Sequence, residues 1–370
     1  VQPAPRPPAP PPTADATLTA ELAALDAAGL RRHLRPLASA SEPEVTLDGR
    51  PVLLFSSNNY LGLATHPALK AAAAAAIARY GCGTGASRLI AGHLDLHAAV
   101  EAELAALKGT EAALLFPSGY QANVGTITAL VGRGDHVFSD ALNHASIVDG
   151  CRLSRATVHV YPHRDALALE AELAATPRGG RRLIVTDSVF SMDGDRAPLP
   201  ALVALAEQYH SWLMVDEAHA TGVLGPHGGG LADAEGLSAR VTVQMGTLGK
   251  ALGGAGAYGA GSQALVDVLV NRARSFIYTT GLAPAAVGAA SAALALVARE
   301  PARRATLLAH AERLRAGLRA LGLEAGGDTH IVPLLVGDNR RALALADALL
   351  ARGVLAHAIR PPTVPAGTAR

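Results

Sequence analysis

The sequence predicts an α/β fold, a mostly parallel sheet flanked by helices and followed by a smaller C-terminal α/β domain. Three observations predict it. Short apolar runs of strand length alternate with stretches whose apolar residues recur at a helical period of about 3.6. Half of the 370 residues are hydrophobic and 17% are charged, enough apolar material for a large core and a length suited to two domains. Near residue 285 the texture changes to a run dominated by Ala, Leu and Arg.

Taken in order, residues 1–12 carry seven prolines, so 1–16 is expected to be a disordered Pro/Ala-rich leader and 17–50 an N-terminal segment. Strands are expected at Val52–Phe55, Ala112–Phe116, His136–Ser139, Leu183–Thr186, Trp212–Val215, Val241–Met245 and Ala257–Gly259. Helical periodicity runs over Leu94–Leu107 and Leu199–Tyr209. Together these make 51–285 a large domain. The small domain, 286–370, is expected to hold a long helix to about Leu323, a strand Ile331–Val336, a helix Arg341–Ala351 and a last strand Val354–Ile359.

Composition excludes several classes. Lys+Arg minus Asp+Glu is 32 − 31 = +1, which leaves no basic footprint for nucleic acid. Cys82 and Cys151 are the only cysteines, too few for a disulfide framework, and point to a reducing, cytoplasmic compartment. Gly281–Ala298 runs eighteen residues without a charge but is mostly Ala and Gly and contains Pro284; it reads as a buried helix rather than a membrane span. The histidines show no tight ligand spacing, so no metal is expected.

Only three of the 32 basic residues are lysines: Lys70, Lys108 and Lys250. Arginine does not lose its proton, so chemistry that needs a free amine falls to one of the three. Lys250, in Met245-Gly-Thr-Leu-Gly-Lys-Ala-Leu-Gly-Gly254, is the only charged residue between Arg240 and Asp267. Such surroundings suit an amine of depressed pKa that forms a Schiff base. Lys70 reads as helix surface. Lys108 reads as a cation suited to a helix end.

Other motifs stand at the ends of expected strands. Asp216 closes an apolar run and opens Asp216-Glu-Ala-His219, where it is either a helix cap or a carboxylate paired to a cofactor cation. The same four letters spell a helicase box, but no phosphate loop of the form GxxxxGK[ST] accompanies them. Ser118-Gly119-Tyr120 follows a strand and opens a helix, a natural anion site to which the Thr247 hydroxyl can add. Gly254-Ala-Gly256-Ala-Tyr-Gly259 fits a dinucleotide loop but lacks the later acidic residue. His163-Arg-Asp165 lacks the Asn of a kinase loop.

From about Leu30 to Arg370 the chain resembles the α-oxoamine synthases, pyridoxal-phosphate enzymes of the aspartate-aminotransferase fold. Seven motifs in order carry the resemblance: Ser57-Asn-Asn-Tyr-Leu-Gly62, Gly83-Thr-Gly-Ala-Ser-Arg88, Ser118-Gly-Tyr, Asn143-His-Ala-Ser, Val189-Phe-Ser-Met-Asp-Gly-Asp195, Val215-Asp-Glu-Ala-His219 and Thr247-Leu-Gly-Lys250. The family pattern often has Asp at Asn59.

The resemblance implies a seven-stranded sheet, a homodimer, pyridoxal 5'-phosphate and a role for each residue. Lys250 would hold the cofactor covalently and move the Cα proton, and Asp216 would pair with its ring nitrogen. His219 and Ser191 would lie by its phenolic oxygen, with His144 stacked on the ring. Gly119, Tyr120 and Thr247 would hold the phosphate, and Arg32, Asn58, His144, Arg360 and Thr363 would face substrates. The implied activity is decarboxylative condensation of an amino acid with an acyl thioester.

The stretch Arg360-Pro-Pro-Thr-Val-Pro-Ala-Gly367 is most similar to the branch that joins L-alanine to a pimeloyl group carried on CoA or a carrier protein. The rival branches, glycine C-acetyltransferase, 5-aminolevulinate synthase and serine palmitoyltransferase, tend to lack the Arg-Pro-Pro form. A non-catalytic regulator or inactive subunit is a rival from another class; the retained Lys250 argues against the latter. The family continues beyond the position of Arg370 and supplies an Arg for the amino-acid carboxylate; a chain ending there is expected to bind alanine weakly and close its small domain poorly.

Overall fold

The computed structural model describes residues 13–370. Its strands, in chain order, are β1 (Glu44–Leu47), β2 (Arg50–Leu54), β3 (Ala112–Phe116), β4 (His136–Asp140), β5 (Thr157–Tyr161), β6 (Arg182–Asp187), β7 (Trp212–Asp216), β8 (Val243–Thr247), β9 (Ala257–Gly261) and β10 (Val354–Leu355). The chain divides into two compact units. The large one holds Ala40–Pro43 and Ser57–Leu334; of the described residues, the small one holds 13–39, Glu44–Ser56 and Leu335–Arg370.

The large unit is built on a seven-stranded sheet in the order β3-β9-β8-β7-β6-β4-β5. All pairings are parallel except those of β9, which runs against both β3 and β8. Side chains alternate between its two faces. Leu114, Phe116, Leu183, Val185, Met214 and Met245 enter one apolar cluster, and Ala113, Leu115, Ile184 and Val215 enter the other. Both faces are buried, which is why these strands read as continuous apolar runs. The helix Gly119–Leu130 covers one face through Ala122, Ile127 and Leu130. The helices Asp95–Lys108, Leu199–Gln208 and Pro284–Arg299 cover the other through Leu104, Leu202 and Val287.

This topology positions the site. β3, β4, β6, β7 and β8 point the same way, so their carboxyl ends share one edge of the sheet. That edge delivers Ser118-Gly119, His144, Ser191, Asp216-His219 and Thr247-Lys250.

Several boundaries differ from the sequence expectation. β1 and β5 carry no apolar run long enough to announce them. The long helical stretch after 285 is two helices, Pro284–Arg299 and Pro301–Ala320, because Pro301 cannot continue a helix and instead starts a new one. Both belong by their contacts to the large unit, whereas they were expected to open the small domain; the small unit draws instead on both ends of the chain. The strand expected at Ile331–Val336 does not form. Leu334 makes only an isolated bridge to Ala325, and Pro333 has no N–H to extend a ladder. The strand expected at Val354–Ile359 is reduced to β10.

In the small unit β2 pairs antiparallel with β1 and parallel with β10. Val45, Leu47, Val52 and Leu355 form its core. The leader expected over 1–16 falls mostly outside the described residues; of it, Ala14–Ala16 open the helix Ala14–Ala27, capped by Thr13. Among the described residues no helix is long and apolar enough to cross a membrane.

Candidate active site

Asp216 ends β7 and is 3% exposed. Its carboxylate accepts from Asn123 Nδ2 at 2.8 Å and from the Ala218 N–H at 2.9 Å. Two residues later the chain turns, because Glu217 is pinned beneath it: the Leu231 and Ala232 N–H groups and the Ser188 hydroxyl all donate to the Glu217 carboxylate. Lys108 was expected at a helix end, and it does sit there, but buried rather than solvated. It donates to the Gly229 carbonyl and lies 3.9 Å from Glu217.

The turn presents His219, 6% exposed, to Lys250. His219 Nε2 lies 2.8 Å from Lys250 Nζ, and His219 Nδ1 lies 2.7 Å from the Tyr60 hydroxyl, which donates to Asn58 Oδ1 at 3.1 Å. Lys250 is held by the turn after β8, which closes through Gly253 donating to the Lys250 carbonyl. Gly253 has φ +66°, and a Cβ there would stand 2.4 Å from the Ala64 nitrogen, so this turn admits only glycine.

Burial lowers the Lys250 amine below the ordinary lysine range, while Asp216 and Asp187 pull it up. Burial, reinforced by the Lys250 charge, drives His219 well below its ordinary value and keeps it neutral. Asp187 ends β6 as the cross-strand partner of Asp216. Burial first, and then the neighbouring Asp216 charge, raises the Asp187 carboxyl well above the ordinary range.

His144 caps the helix Ala145–Ser154. Its backbone N–H donates to Asp187 at 2.7 Å and its Nδ1 faces the Ser146 hydroxyl at 2.7 Å, leaving the side chain exposed over the strand ends. Gly119 and Tyr120 form the first turn of the helix Gly119–Leu130, whose cap Ser118 accepts from Gln121. The Tyr120 hydroxyl turns away to Asp149 at 2.7 Å, so it is the Tyr120 backbone that faces the helix start. Thr247 ends β8 and donates to the Gly256 carbonyl at 3.0 Å. Ser191 sits half-buried in the turn after β6.

Lys250, His219, Asp216, His144, Ser191, Thr247, Gly119 and Tyr120 therefore lie in the large unit, at one sheet edge. Asn58 is in the same unit and serves Tyr60. Its neighbour Asn59 uses both ends of its amide, donating to the Ser41 carbonyl and accepting from the Ala64 N–H, a pairing an Asp could not complete. Arg32, Arg360 and Thr363 lie in the small unit. Arg32 donates to the Thr363 hydroxyl at 2.9 Å, and Arg360 donates to the Gly29 carbonyl.

Sequence reasoning gave no role to Asp187, Tyr60, Asn123 or His330. Asp187 ends an apolar strand as Asp216 does, and that signal was available. Tyr60 lay inside a quoted motif, with nothing to show that it reaches His219.

The donor set fits pyridoxal phosphate: a helix start without acidic residues for the phosphate, a buried carboxylate for a ring cation, and a desolvated amine between acidic groups for the aldehyde. Among the described residues no cluster of His, Cys, Asp and Glu could hold a metal ion.

Residues 50–370 match the family Aminotransferase class I and II. The chain is 56% identical over 357 residues to the 8-amino-7-oxononanoate synthase of Geobacter sulfurreducens, covering 96% of this chain and 91% of that one. Among solved structures it is similar to a serine palmitoyltransferase of Sphingomonas wittichii, at 35% identity and a TM-score of 0.90, over 95% of this chain and 90% of that one. A high-resolution structure of SPT with PLP matches at 33% identity and a TM-score of 0.90, with the same coverage. The chain belongs to the aminotransferase class I and II family, and within it to the α-oxoamine synthases.

Proposed function

We infer that this protein is a pyridoxal-phosphate-dependent acyltransferase. It condenses L-alanine with a pimeloyl thioester and releases CO2 and a free thiol to give 8-amino-7-oxononanoate, a step of biotin biosynthesis. The observation that carries this reading is the desolvated amine of Lys250, set beside neutral His219 and buried Asp216 at the strand edge, in a chain whose curated relatives carry that name.

Bound there, pyridoxal phosphate supplies a sink for the electron pair left at Cα. Lys250 would hold it through its amine and would take and return the Cα proton. Asp216, fixed by Asn123 and the Ala218 N–H, keeps a positive partner at the ring nitrogen. His219 and Ser191 attend the phenolic oxygen. His144 would pack against the ring, and the Gly119–Tyr120 backbone with Thr247 would hold the phosphate. Arg32, Asn58, His144, Arg360 and Thr363 are read as substrate-facing. Family membership supports a cytoplasmic homodimer; the thioester comes from CoA or an acyl carrier protein.

The test is thiol release from pimeloyl-CoA by the cofactor-loaded protein with L-alanine, glycine or L-serine. Release with alanine supports the reading. A protein that works only with glycine or serine is a different α-oxoamine synthase, the alternative for which the serine palmitoyltransferase likeness speaks.

A further inference from the structure

One polar side chain beside this site has no assigned work. His330 is 9% exposed, yet neither of its ring nitrogens has a hydrogen-bond partner among the described residues. Leaving a buried imidazole unpaired costs folding free energy, so such a group is kept where a ligand completes it. Its surroundings say which ligand. The ring stands edge-on to Tyr60, with centroids 4.2 Å apart, and it is close enough to Lys250 for that charge to be felt.

The loop that carries it is firmly anchored. The Thr329 hydroxyl and the Asp328 N–H both donate to the Gly194 carbonyl, at 2.7 and 3.0 Å. Gly194 leaves room for this loop: a Cβ on it would meet the Ile331 carbonyl at 2.3 Å. Arg315 Nη2 donates to the Thr329 carbonyl at 2.5 Å. Burial, with the Lys250 charge added, pushes the His330 pKa down to about 4, so at neutral pH the ring is an uncharged donor.

We propose that His330 is a catalytic residue that donates a ring N–H to the carbonyl oxygen of the acyl thioester. This rests on the acyl-transfer reading above. In that step the electron pair freed at the amino-acid Cα forms a bond to the thioester carbonyl carbon, and the carbonyl π pair moves onto oxygen. The His330 N–H meets that oxygen as its charge grows. The pair then returns, the C–S bond breaks, and the thiolate leaves and takes a proton. A neutral imidazole is suited to this place, because a second cation beside Lys250 would be repelled.

The test uses the cofactor-loaded protein and two variants. His330→Phe keeps a ring against Tyr60 but has no donor; His330→Gln restores an N–H. Thiol release from pimeloyl-CoA with L-alanine is expected to fall about 100-fold in His330→Phe and to recover about tenfold in His330→Gln. Exchange of the alanine α-proton in D2O, measured without thioester, is expected to stay within about threefold, because that half-reaction involves no acyl oxygen. The imidazole 15N signals of His330 are expected to shift when pimeloyl-CoA is added without amino acid.

Thiol release within about threefold in His330→Phe, or α-proton exchange that falls as far as thiol release, overturns the proposal while leaving the function reading intact. An unmodified protein that releases no thiol with any of the three amino acids overturns the function reading and this proposal with it.

Discussion

Lys250 Nζ lies 2.8 Å from His219 Nε2, and the other ring nitrogen of His219 is held by the Tyr60 hydroxyl. The amine is thus backed by a neutral imidazole, while burial lowers its pKa against the pull of Asp216 and Asp187. Replacing Lys250 with Ala is expected to lower thiol release by about 1,000-fold or more. It should also abolish the covalent cofactor adduct that borohydride reduction traps in the unmodified protein, read as a mass shift.

Asp216 and Asp187 are cross-strand neighbours, and burial, with the Asp216 charge added, raises the Asp187 carboxyl well above the ordinary range. Asp187→Asn, nearly isosteric with the neutral acid and still able to accept from the His144 N–H, should stay within about fivefold of the parent activity. Asp216→Asn should lose about 100-fold or more. Steady-state thiol release on both variants separates them.

Tyr60→Phe removes one hydrogen bond to His219 and leaves the ring contact with His330 in place. The bond to Asn58 is lost with it, and a fall of about tenfold in kcat is expected, the equivalent of the one neutral hydrogen bond that reaches His219. The melting temperature should hardly move, which a thermal scan checks.

His163 lies between Asp140, at 2.9 Å, and Asp195, at 3.0 Å. Burial alone would lower its pKa, but these two hydrogen bonds and charges raise it to about 9. A folded pKa above the unfolded value stabilises fully below pH 6.5, and that stability is lost as pH rises through about 9. The contribution is at most about 3 kcal/mol. Urea unfolding at pH 6 and pH 9.5 should show the unmodified protein losing its advantage over His163→Gln at the higher pH.

Lys108→Met strands the buried Glu217 carboxylate without its cation. A destabilisation of about 3–5 kcal/mol is expected in urea unfolding. Because Glu217 pins the turn between Asp216 and His219, activity per folded molecule should also fall.

Much of the scaffold was legible in the chain. β3 was predicted residue for residue, and β4, β6, β7 and β9 with their starts at most one residue off and their ends one or two residues short, since a strand buried on both faces must be apolar throughout. The elements that escaped are of two kinds. β5 is largely exposed on the sheet's edge and needs no apolar run. Ile331–Val336 is apolar and β-branched, yet it finds no strand to pair with. Pairing is a property of the neighbour, not of the run.

The sequence by itself determined which residues could do chemistry: one lysine in apolar surroundings, an acid at a strand's end, and a histidine three positions on. Chain order places Asp216 and His219 at the carboxyl end of β7 and Lys250 just beyond the end of β8, neighbouring parallel strands, and so at one edge. What only the tertiary structure decided is their electrical state. Desolvation and distance raise the Asp187 carboxyl and lower His219, His330 and Lys108, and both quantities depend on residues that arrive from far away in the chain. Tyr60 and His330, 270 positions apart, meet at 4.2 Å only once the core has closed.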